Sequence, residues 1–369
     1  MSEKEEVKIG LGTFTIVVIA FVLVVVTICG AIYLSHISDV NNKPKKHNSI
    51  GTKIVGTDNT VTNTVKDVIK INTKNTYAFT CKTVVGKSQY DMENTLVEIS
   101  KTDGKETEIM KFSSGAYDYA DGKLYFYENT ANSYHRFYMI DLENSTEPSE
   151  IYSFEYRYGS TDNLEYYNNK LYYTFNGELV SLNLVDKQIT TIAPVKNIIF
   201  KIDNEKDILY YVNSDNSLVA MNLKTSEETV IDSNSGVIDI FGDKLLYAKL
   251  ENNETWYWNY DLQSKQKTRI AESWGGTIGK NEIFRYNNGY LYLNGEGQLM
   301  LLGDDESIQV LTDEGNFNAL TLLTNKVVLL ERNEGTETED YKTYTFNLES
   351  KQLTQTSNNY RYSNTKYIE

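Results

Sequence analysis

Polar and apolar residues alternate along this chain in short runs that polar turns interrupt. The clearest unit spans residues 168–192. In it, an aromatic run at 171–173 (Leu-Tyr-Tyr) and an alternating run at 179–184 flank the pair Asn176-Gly177. Alternation with period two is typical of strands, and Asn-Gly favours the tight turn of an antiparallel hairpin. The unit therefore predicts consecutive β-hairpins.

An Asx-Leu pair, followed at fixed distance by Thr and Ile, marks the copies of this unit. The spacing is identical in three of them: Asn183-Leu184 with Thr190 and Ile192, Asn222-Leu223 with Thr229 and Ile231, and Asp261-Leu262 with Thr268 and Ile270. An Asx side chain accepts a hydrogen bond from the backbone two residues later and so starts a turn. Weaker copies near residues 107, 149, 310 and 354 raise the count to seven, at a period of about 40 residues.

Four strands per repeat of this length are typical of a blade in a β-propeller. The sequence thus predicts an all-β fold, a β-propeller of seven four-stranded blades, with six to eight blades left open by the degenerate copies. Residues 360–368 lie beyond the last copy and are predicted to pair with the first blade, which would close the ring and remove exposed sheet edges. Residues 68–71 are predicted to be the innermost strand of that first blade.

Ahead of the propeller, Leu11–Leu34 runs 24 residues without a charge. A helix of that length reaches about 36 Å and can cross a hydrocarbon core of roughly 30 Å. The prediction is a single N-terminal transmembrane helix between a short tail (1–10) and a polar stalk (35–65), with the propeller domain at 66–369. A cleaved signal peptide is the alternative, but the stretch is long for one, and no small-residue cleavage site follows it.

The orientation of this anchor rests on weaker signals. Two lysines precede the stretch and three follow it within residues 43–46, which slightly favours a cytoplasmic carboxy-terminal side. A large β domain on one anchor, with a tail of only ten residues, is nevertheless interpreted as lying outside the cytoplasm. The predicted localisation is the cell membrane, single-pass. A lipoprotein signal ending at Cys29 would need a small residue where Ile28 stands.

Composition narrows the class of protein. The net charge of −15 argues against binding nucleic acid or an anionic surface through charge. Cys29 lies in the predicted anchor and Cys81 in the first blade, so no disulfide is expected. Frequent Lys, Asn, Ile and Tyr suggest an AT-rich, low-GC bacterial genome.

The repeats also carry a family resemblance. An aromatic strand leads to an alternating strand that ends in Asx-Leu, as in 171–184 and 209–223. This pattern resembles the YWTD-type propeller of low-density-lipoprotein-receptor-related proteins, in particular its bacterial surface-protein form, and it covers roughly residues 66–369. No blade contains Tyr-Trp-Thr-Asp and no cysteine-rich module flanks the repeats, so receptor activity is not implied. The resemblance implies a six- to eight-bladed propeller of a kind whose function is usually unknown.

Motifs for metal or cofactor chemistry are weak. The three histidines (His36, His47 and His135) do not form a zinc-binding pair. The glycine-rich segment 274–280 lacks the residues of a phosphate loop and is interpreted as a connection between blades. Acidic clusters at 203–207 and 304–306 lack calcium-loop spacing and are interpreted as solvated turns. No metal and no cofactor are predicted.

One face of the predicted disc carries the long loops. In a four-stranded blade, the loop joining strands two and three lies on the same face as the loop to the next blade. The longer loops are of these two kinds: 128–136, 154–163, 249–255, 271–281 and 331–341. Loops on a rigid scaffold concentrate binding residues, and aromatic and Arg side chains are favoured there. The predicted ligand-binding residues of this loop face are Tyr134, His135, Tyr156, Arg157, Tyr158 and Trp274. The alternative is that these aromatic side chains fold back over the blade ends.

Two functions follow from these patterns. The first is a membrane-tethered extracytoplasmic binding module whose partner is an unidentified envelope ligand: a protein, a peptide or a cell-wall polymer. The alternative is an exported propeller enzyme that acts on a glycan or small molecule through carboxylates in the central channel. Asp118, Glu165 and Asp239, on the predicted first strands of three blades, are the candidates for that channel.

Overall fold

The computed structural model describes residues 68–84, 94–113, 115–129, 134–155, 161, 163–272, 283–287, 289–303, 307–333, 341–356 and 360–368. All of them belong to one compact unit, Ile54–Glu369. Within these ranges the secondary structure is antiparallel β-sheet, apart from a single 3-10 turn at Thr73–Asn75. The predicted all-β class is therefore confirmed.

The strands follow the alternating runs of the sequence. In chain order they are β1 (Thr76–Val84), β2 (Asn94–Ser100), β3 (Glu106–Phe112), β4 (Tyr117–Ala120), β5 (Lys123–Asn129), β6 (Tyr134–Ile140), β7 (Ser149–Glu155), β8 (Leu164–Tyr167), β9 (Lys170–Phe175), β10 (Glu178–Asn183), β11 (Ile189–Asp203), β12 (Ile208–Asn213), β13 (Ser217–Asn222), β14 (Glu228–Ser233), β15 (Ser235–Phe241), β16 (Lys244–Glu251), β17 (Glu254–Asp261), β18 (Lys267–Glu272), β19 (Ile283–Tyr286), β20 (Gly289–Leu293), β21 (Leu299–Leu302), β22 (Ile308–Val310), β23 (Ala319–Thr324), β24 (Val327–Asn333), β25 (Tyr341–Asn347), β26 (Gln352–Gln355) and β27 (Tyr360–Tyr367).

The Asx residues of the repeat start turns as predicted. Asn183, Asn222 and Asp261 each accept a hydrogen bond at Oδ1 from the backbone N–H two residues later, at 2.8, 2.9 and 3.0 Å. A residue with a φ of 61 or 62° follows in each turn. The conserved spacing of these turns within the chain thus has a local cause, because the side chain and the left-handed residue together reverse the strand.

The strands form six hydrogen-bonded sheets. Five have four strands each: β27-β1-β2-β3, β4 to β7, β15 to β18, β19 to β22, and β23 to β26. The sixth has seven strands, β8 to β14 in chain order. The prediction of seven four-stranded blades is therefore wrong: the β-propeller has five such blades, and β8–β14 form one continuous sheet.

The long strand β11 is the physical reason for this difference. Its first part pairs with β10, up to Pro194 opposite Glu178, and its second part pairs with β12, from Val195 onward. Eight of the 15 residues at 189–203 are Ile, Thr or Val, which favour extended backbone. Between β14 and β15, by contrast, Asn234 has a φ of 51° and breaks the strand. The repeat boundary within β11 lacks such a break.

The C-terminal strand closes the ring, and this prediction is confirmed. β27 pairs antiparallel with β1, from Ala78 opposite Tyr367 to Val84 opposite Tyr360, and it also contacts β23 and β4. The predicted inner strand at 68–71 is wrong. Those residues bond to β3 and to the β6–β7 connection, through Ile69 N to Ile109 O and Ile71 N to Leu142 O, both at 3.0 Å. The last strand of the chain takes the innermost place instead.

The hydrophobic core lies between neighbouring sheets. Leu96 and Phe112 of the first sheet pack with Phe126 of β5, and Leu291 of β20 packs with Leu330 of β24. Burial of one such side chain stabilises the fold by about 1.5–3 kcal/mol. The sheets are therefore held face to face, as blades are in a propeller.

The predicted tail (1–10), transmembrane helix (Leu11–Leu34) and stalk (35–65) lie outside the described residues. Among the residues that the structure does describe, no helix is both long and apolar enough to cross a bilayer. Over the residues that it describes, the structure thus shows a β-propeller without a transmembrane helix.

Candidate functional site: a charged cluster on the first strands

The three predicted channel carboxylates come together in the structure. Asp118 lies on β4, Glu165 on β8 and Asp239 on β15, each the first strand of its blade or sheet. Lys201, on the second part of β11, and Lys366, on β27, lie among them. The strands β27, β4, β8, β11 and β15 contact one another in that order, which places five charged side chains side by side.

Two lysines link the three carboxylates into one row. Lys366 Nζ lies 3.1 Å from Asp118 Oδ1 and 3.6 Å from Glu165 Oε1. Lys201 Nζ lies 3.5 Å from the same Glu165 oxygen and 3.1 Å from Asp239 Oδ1. We call these five residues the central charge cluster. Acidic and basic groups alternate along it, so each lysine is shared by two carboxylates.

Backbone groups hold the two more buried carboxylates as well. Asp118 Oδ2 accepts a hydrogen bond of 2.7 Å from the N–H of Tyr166, and Glu165 Oε2 accepts one of 2.8 Å from the N–H of Ile202. Each bond crosses from one first strand to the next. A strand at the end of a sheet has unpaired N–H groups, and these carboxylates satisfy two of them.

Burial explains why the cluster needs its counter-charges. Asp118 is 9% exposed and Glu165 is 6% exposed, and a buried charge is costly unless it is paired. Burial alone would lower the pKa of Lys201, but the charges of Asp239 and Glu165 outweigh it and raise that pKa above its ordinary value. The two carboxylates therefore favour the protonated form of Lys201.

Asp239 is the most open member of the cluster. Its side chain is 36% exposed, and its Oδ1 also accepts a 3.0 Å hydrogen bond from the N–H of Ile240. General acid–base chemistry needs a carboxyl group within reach of a substrate. Asp118 and Glu165 use both of their oxygens in ion pairs and backbone hydrogen bonds, so the geometry gives them a structural role. In the described ranges, no group of three or more His, Cys, Asp or Glu side chains could hold a metal ion.

The predicted loop-face residues lie mostly in segments outside the described ranges. Four of them lie outside the described residues: Tyr156, Arg157, Tyr158 and Trp274. Tyr134 begins β6. The loop-face hypothesis therefore stays a prediction for these residues.

His135 has a different place from the predicted loop. It is the second residue of β6 and only 1% exposed. Its ring stacks on Phe154 with centroids 4.9 Å apart, meets Phe175 edge-on at 5.3 Å, and bonds the hydroxyl of Tyr127 through Nδ1. The strand begins earlier than the turn pattern indicated, so this aromatic side chain folds back over the blade end, as the alternative expectation had it.

The two lysines of the cluster were not among the residues predicted from the sequence. Lys201 stands between Phe200 and Ile202, which are both buried, and a lone lysine inside an apolar strand was a usable signal. Lys366 offered a weaker one, because its strand was placed only as the ring-closing segment. The acidic turn at 203–207 is confirmed as a turn: Asp203 Oδ1 accepts hydrogen bonds from two later backbone N–H groups.

Comparisons with known proteins establish neither a family nor a function for this chain. No family model and no curated protein matches the chain. Solved structures similar to it include a nidogen/laminin complex (10% identity over 63% of this chain and 92% of that chain, TM-score 0.40). Others are an uncharacterized protein from Listeria monocytogenes EGD-e (10%, 78% and 96%, 0.49) and TolB from Acinetobacter baumannii (9%, 76% and 80%, 0.41). At these identities the similarities say nothing about activity. The β-propeller part of the family resemblance is confirmed by the sheets, and its YWTD-type part stays a prediction.

Proposed function

We propose that this protein is a binding module that presents the loop face of a β-propeller to an envelope ligand. In this proposal the hydrophobic stretch Leu11–Leu34 tethers the protein to the cell membrane, and the propeller lies outside the cytoplasm. The partner is a protein, a peptide or a cell-wall polymer. The observation that carries the proposal is that the carboxylates of the central charge cluster are held in ion pairs and backbone hydrogen bonds.

The ion pairs and hydrogen bonds of the cluster carboxylates favour a binding function over a catalytic one. An enzyme of the alternative kind would need carboxylates free to exchange protons with a substrate. Asp118 and Glu165 instead hold two lysines and two backbone N–H groups. Only Asp239 keeps a side chain that is about one-third open. The charged residues at the centre of the ring thus have a structural role, and the loops are the surface that we propose for binding.

The closed ring and the packed sheets also hold the ends of the loops in place. β27 closes the ring, and cores between the sheets fix the blade ends from which the loops emerge. His135 packs on Phe154, two residues before Tyr156, so it fixes the start of the loop that carries Arg157. Loops held at both ends on rigid strands lose less entropy on binding. We assign His135 a positioning role and keep Tyr134, Tyr156, Arg157, Tyr158 and Trp274 as the proposed contacts.

A pull-down with matched variants tests the loop face. The full chain in detergent captures components of the native envelope, which mass spectrometry then identifies. Arg157→Ala combined with Trp274→Ala should lose the captured component while keeping the wild-type melting temperature. The control combines Val185→Ala with Lys326→Ala, because both residues are exposed in turns on the opposite face. Equal retention by all three proteins would refute the loop face as the binding surface.

The location of the domain has its own test. A C-terminal epitope tag should be removed by protease added to intact cells if the propeller lies outside the cytoplasm. A tag that is cleaved only after lysis would refute the extracytoplasmic location, whatever the outcome of the pull-down.

A further inference from the structure

The blade formed by β15–β18 carries two tryptophans with a cation over each. Trp256 and Trp258 are two residues apart on β17 and therefore point to the same side of the sheet. The guanidinium carbon of Arg269 lies 4.1 Å from the ring centroid of Trp256, and Lys249 Nζ lies 5.6 Å from that of Trp258. We call these four residues the tryptophan patch. Both distances are within the range of a cation–π interaction.

The two cations of the patch differ in their charge balance. Lys249 is neutralised by Asp232 Oδ1 at 3.0 Å and Glu251 Oε1 at 2.9 Å. Arg269 is exposed, and in the part of the chain that the structure describes its guanidinium makes no hydrogen bond or ion pair beyond the stack on Trp256. Its donors are therefore free, while the ring holds the guanidinium plane in place.

Other arginines of the described residues differ from Arg269 in their partners or their exposure. Arg136 pairs with Glu150 at 3.6 Å, and Arg332 pairs with Glu314 at 2.9 Å. Arg285 resembles Arg269 in stacking on an aromatic ring, at 5.1 Å from the centroid of Tyr290, but it lies half-buried on a first strand. Among the arginines whose side chains the structure describes, Arg269 is thus the exposed one that stacks on an aromatic ring and forms no ion pair.

The strand that carries Arg269 has an open edge. β18 is the last strand of its sheet, and Lys267, Thr268 and Arg269 are all exposed. Lys267 anchors the strand to the neighbouring β14, because its Nζ donates to Ile231 O at 2.6 Å and pairs with Asp232 Oδ2 at 3.1 Å. An extended peptide can add to such an edge by main-chain hydrogen bonds, and its alternate side chains then meet the strand's own.

Charge decides which peptide fits. The patch and Lys267 together hold three cations, against Asp232, Glu251 and the exposed Glu272 of β18 itself, so the charges of this rim balance. Lys249 and Lys267 are already paired with carboxylates, which leaves Arg269 as the cation of this rim that can pair with a further carboxylate. Charges farther away than about 8 Å are largely screened at physiological salt, so the net charge of −15 on the chain does not prevent the guanidinium of Arg269 from binding a carboxylate. A carboxylate can accept two parallel hydrogen bonds from a guanidinium whose plane is already fixed.

We propose that the outer edge of β18 binds an extended acidic peptide segment of a partner protein, with a partner carboxylate held by Arg269 against Trp256. This site is separate from the loop face and does not rest on it. Arg269 supplies the charge-assisted contact, β18 supplies the main-chain hydrogen bonds, and Trp256 fixes the guanidinium.

Fluorescence anisotropy with a defined probe tests this site. The probe is a fluorescein-labelled peptide of four Glu-Val repeats, titrated with the full chain in detergent, beside a Lys-Val peptide of equal length. The Glu-Val peptide should bind and the Lys-Val peptide should not. Arg269→Ala should weaken binding by about tenfold or more, since a hydrogen bond to a charged group is lost. Arg269→Lys should be intermediate, because it keeps the charge without the planar fork.

Matched variants make the outcome decisive. Arg285→Ala removes the same side chain from another aromatic ring and should leave the affinity unchanged, as should Lys326→Ala. Because Arg269 is exposed, its variants should melt within 1–2 °C of wild type, on the order expected for surface changes of under about 0.5 kcal/mol. Equal affinity of Arg269→Ala and wild type would overturn the proposal. So would equal binding of the two peptides, or no binding of the Glu-Val peptide at millimolar concentration.

Discussion

Replacing Lys366 by methionine should destabilise the propeller strongly, because the C-terminal strand would then lose its charge contact with two neighbouring first strands. The Nζ of Lys366 lies 3.1 Å from Asp118 and 3.6 Å from Glu165. The side chains of these three residues are 17%, 12% and 8% exposed. Methionine fills a similar volume, so the main effect is the loss of the positive charge between two buried carboxylates.

The magnitude follows from what remains after the change. Removing one partner of a buried ion pair costs about 3–5 kcal/mol, because it leaves an uncompensated charge. Here Glu165 still has Lys201 at 3.5 Å and Asp118 still accepts a backbone N–H, so we expect a loss of about 2–4 kcal/mol. That is a large part of the roughly 5–15 kcal/mol that stabilises a typical domain.

Urea unfolding followed by tryptophan fluorescence measures this loss. The control is Lys326→Met, whose ion pair with Glu349 has both side chains more than half exposed; such a surface pair contributes about 0–1 kcal/mol. The double variant Lys366→Met with Asp118→Asn should recover part of the stability, since it removes one orphaned charge. A free energy of unfolding for Lys366→Met within about 0.5 kcal/mol of the Lys326→Met value would refute the reasoning.

Two further changes test other parts of the fold. Burial would raise the pKa of Asp232, but hydrogen bonds from two lysines hold that pKa below its ordinary value. The ionised carboxylate therefore stabilises the fold fully above the unfolded pKa of about 3.9. This stabilisation is lost as the pH falls through the folded pKa. Asp232→Asn should therefore be less stable than wild type in thermal melts at pH 7, and the difference should shrink in acid; a difference that persists unchanged in acid would contradict this. A Cβ at Gly289 would lie 1.9 Å from a backbone carbonyl oxygen of β21, whereas nothing lies within 4 Å of one at Gly295. Gly289→Ala should cost about 1–3 kcal/mol in urea unfolding and Gly295→Ala much less, and similar values for the two would show that β21 yields easily.

The sequence could predict the local structure because its signals are local. The Asx turns at Asn183, Asn222 and Asp261 depend on backbone groups two residues away, and the alternation of each strand depends on its own residues. The number of separate blades depends on something else, which is whether a polar break interrupts the chain where two repeats meet. Asn234 supplies such a break, while the run through Val195 keeps the strand extended, and a repeat count cannot distinguish these cases.

The central charge cluster likewise combines residues that could be predicted locally with a partner that is distant in the sequence. Asp118, Glu165 and Asp239 could be selected because a carboxylate on a first strand is conspicuous in the sequence. Their role could not, because it is decided by Lys366, which comes from the other end of the chain and reaches Asp118 only when β27 completes the first sheet. Acidic residues that look like candidate catalysts in isolation become structural once a lysine from the closing strand lies between them. The closure of the ring therefore determines the stability of the centre, and it is the reason why we propose the loop face as the binding surface.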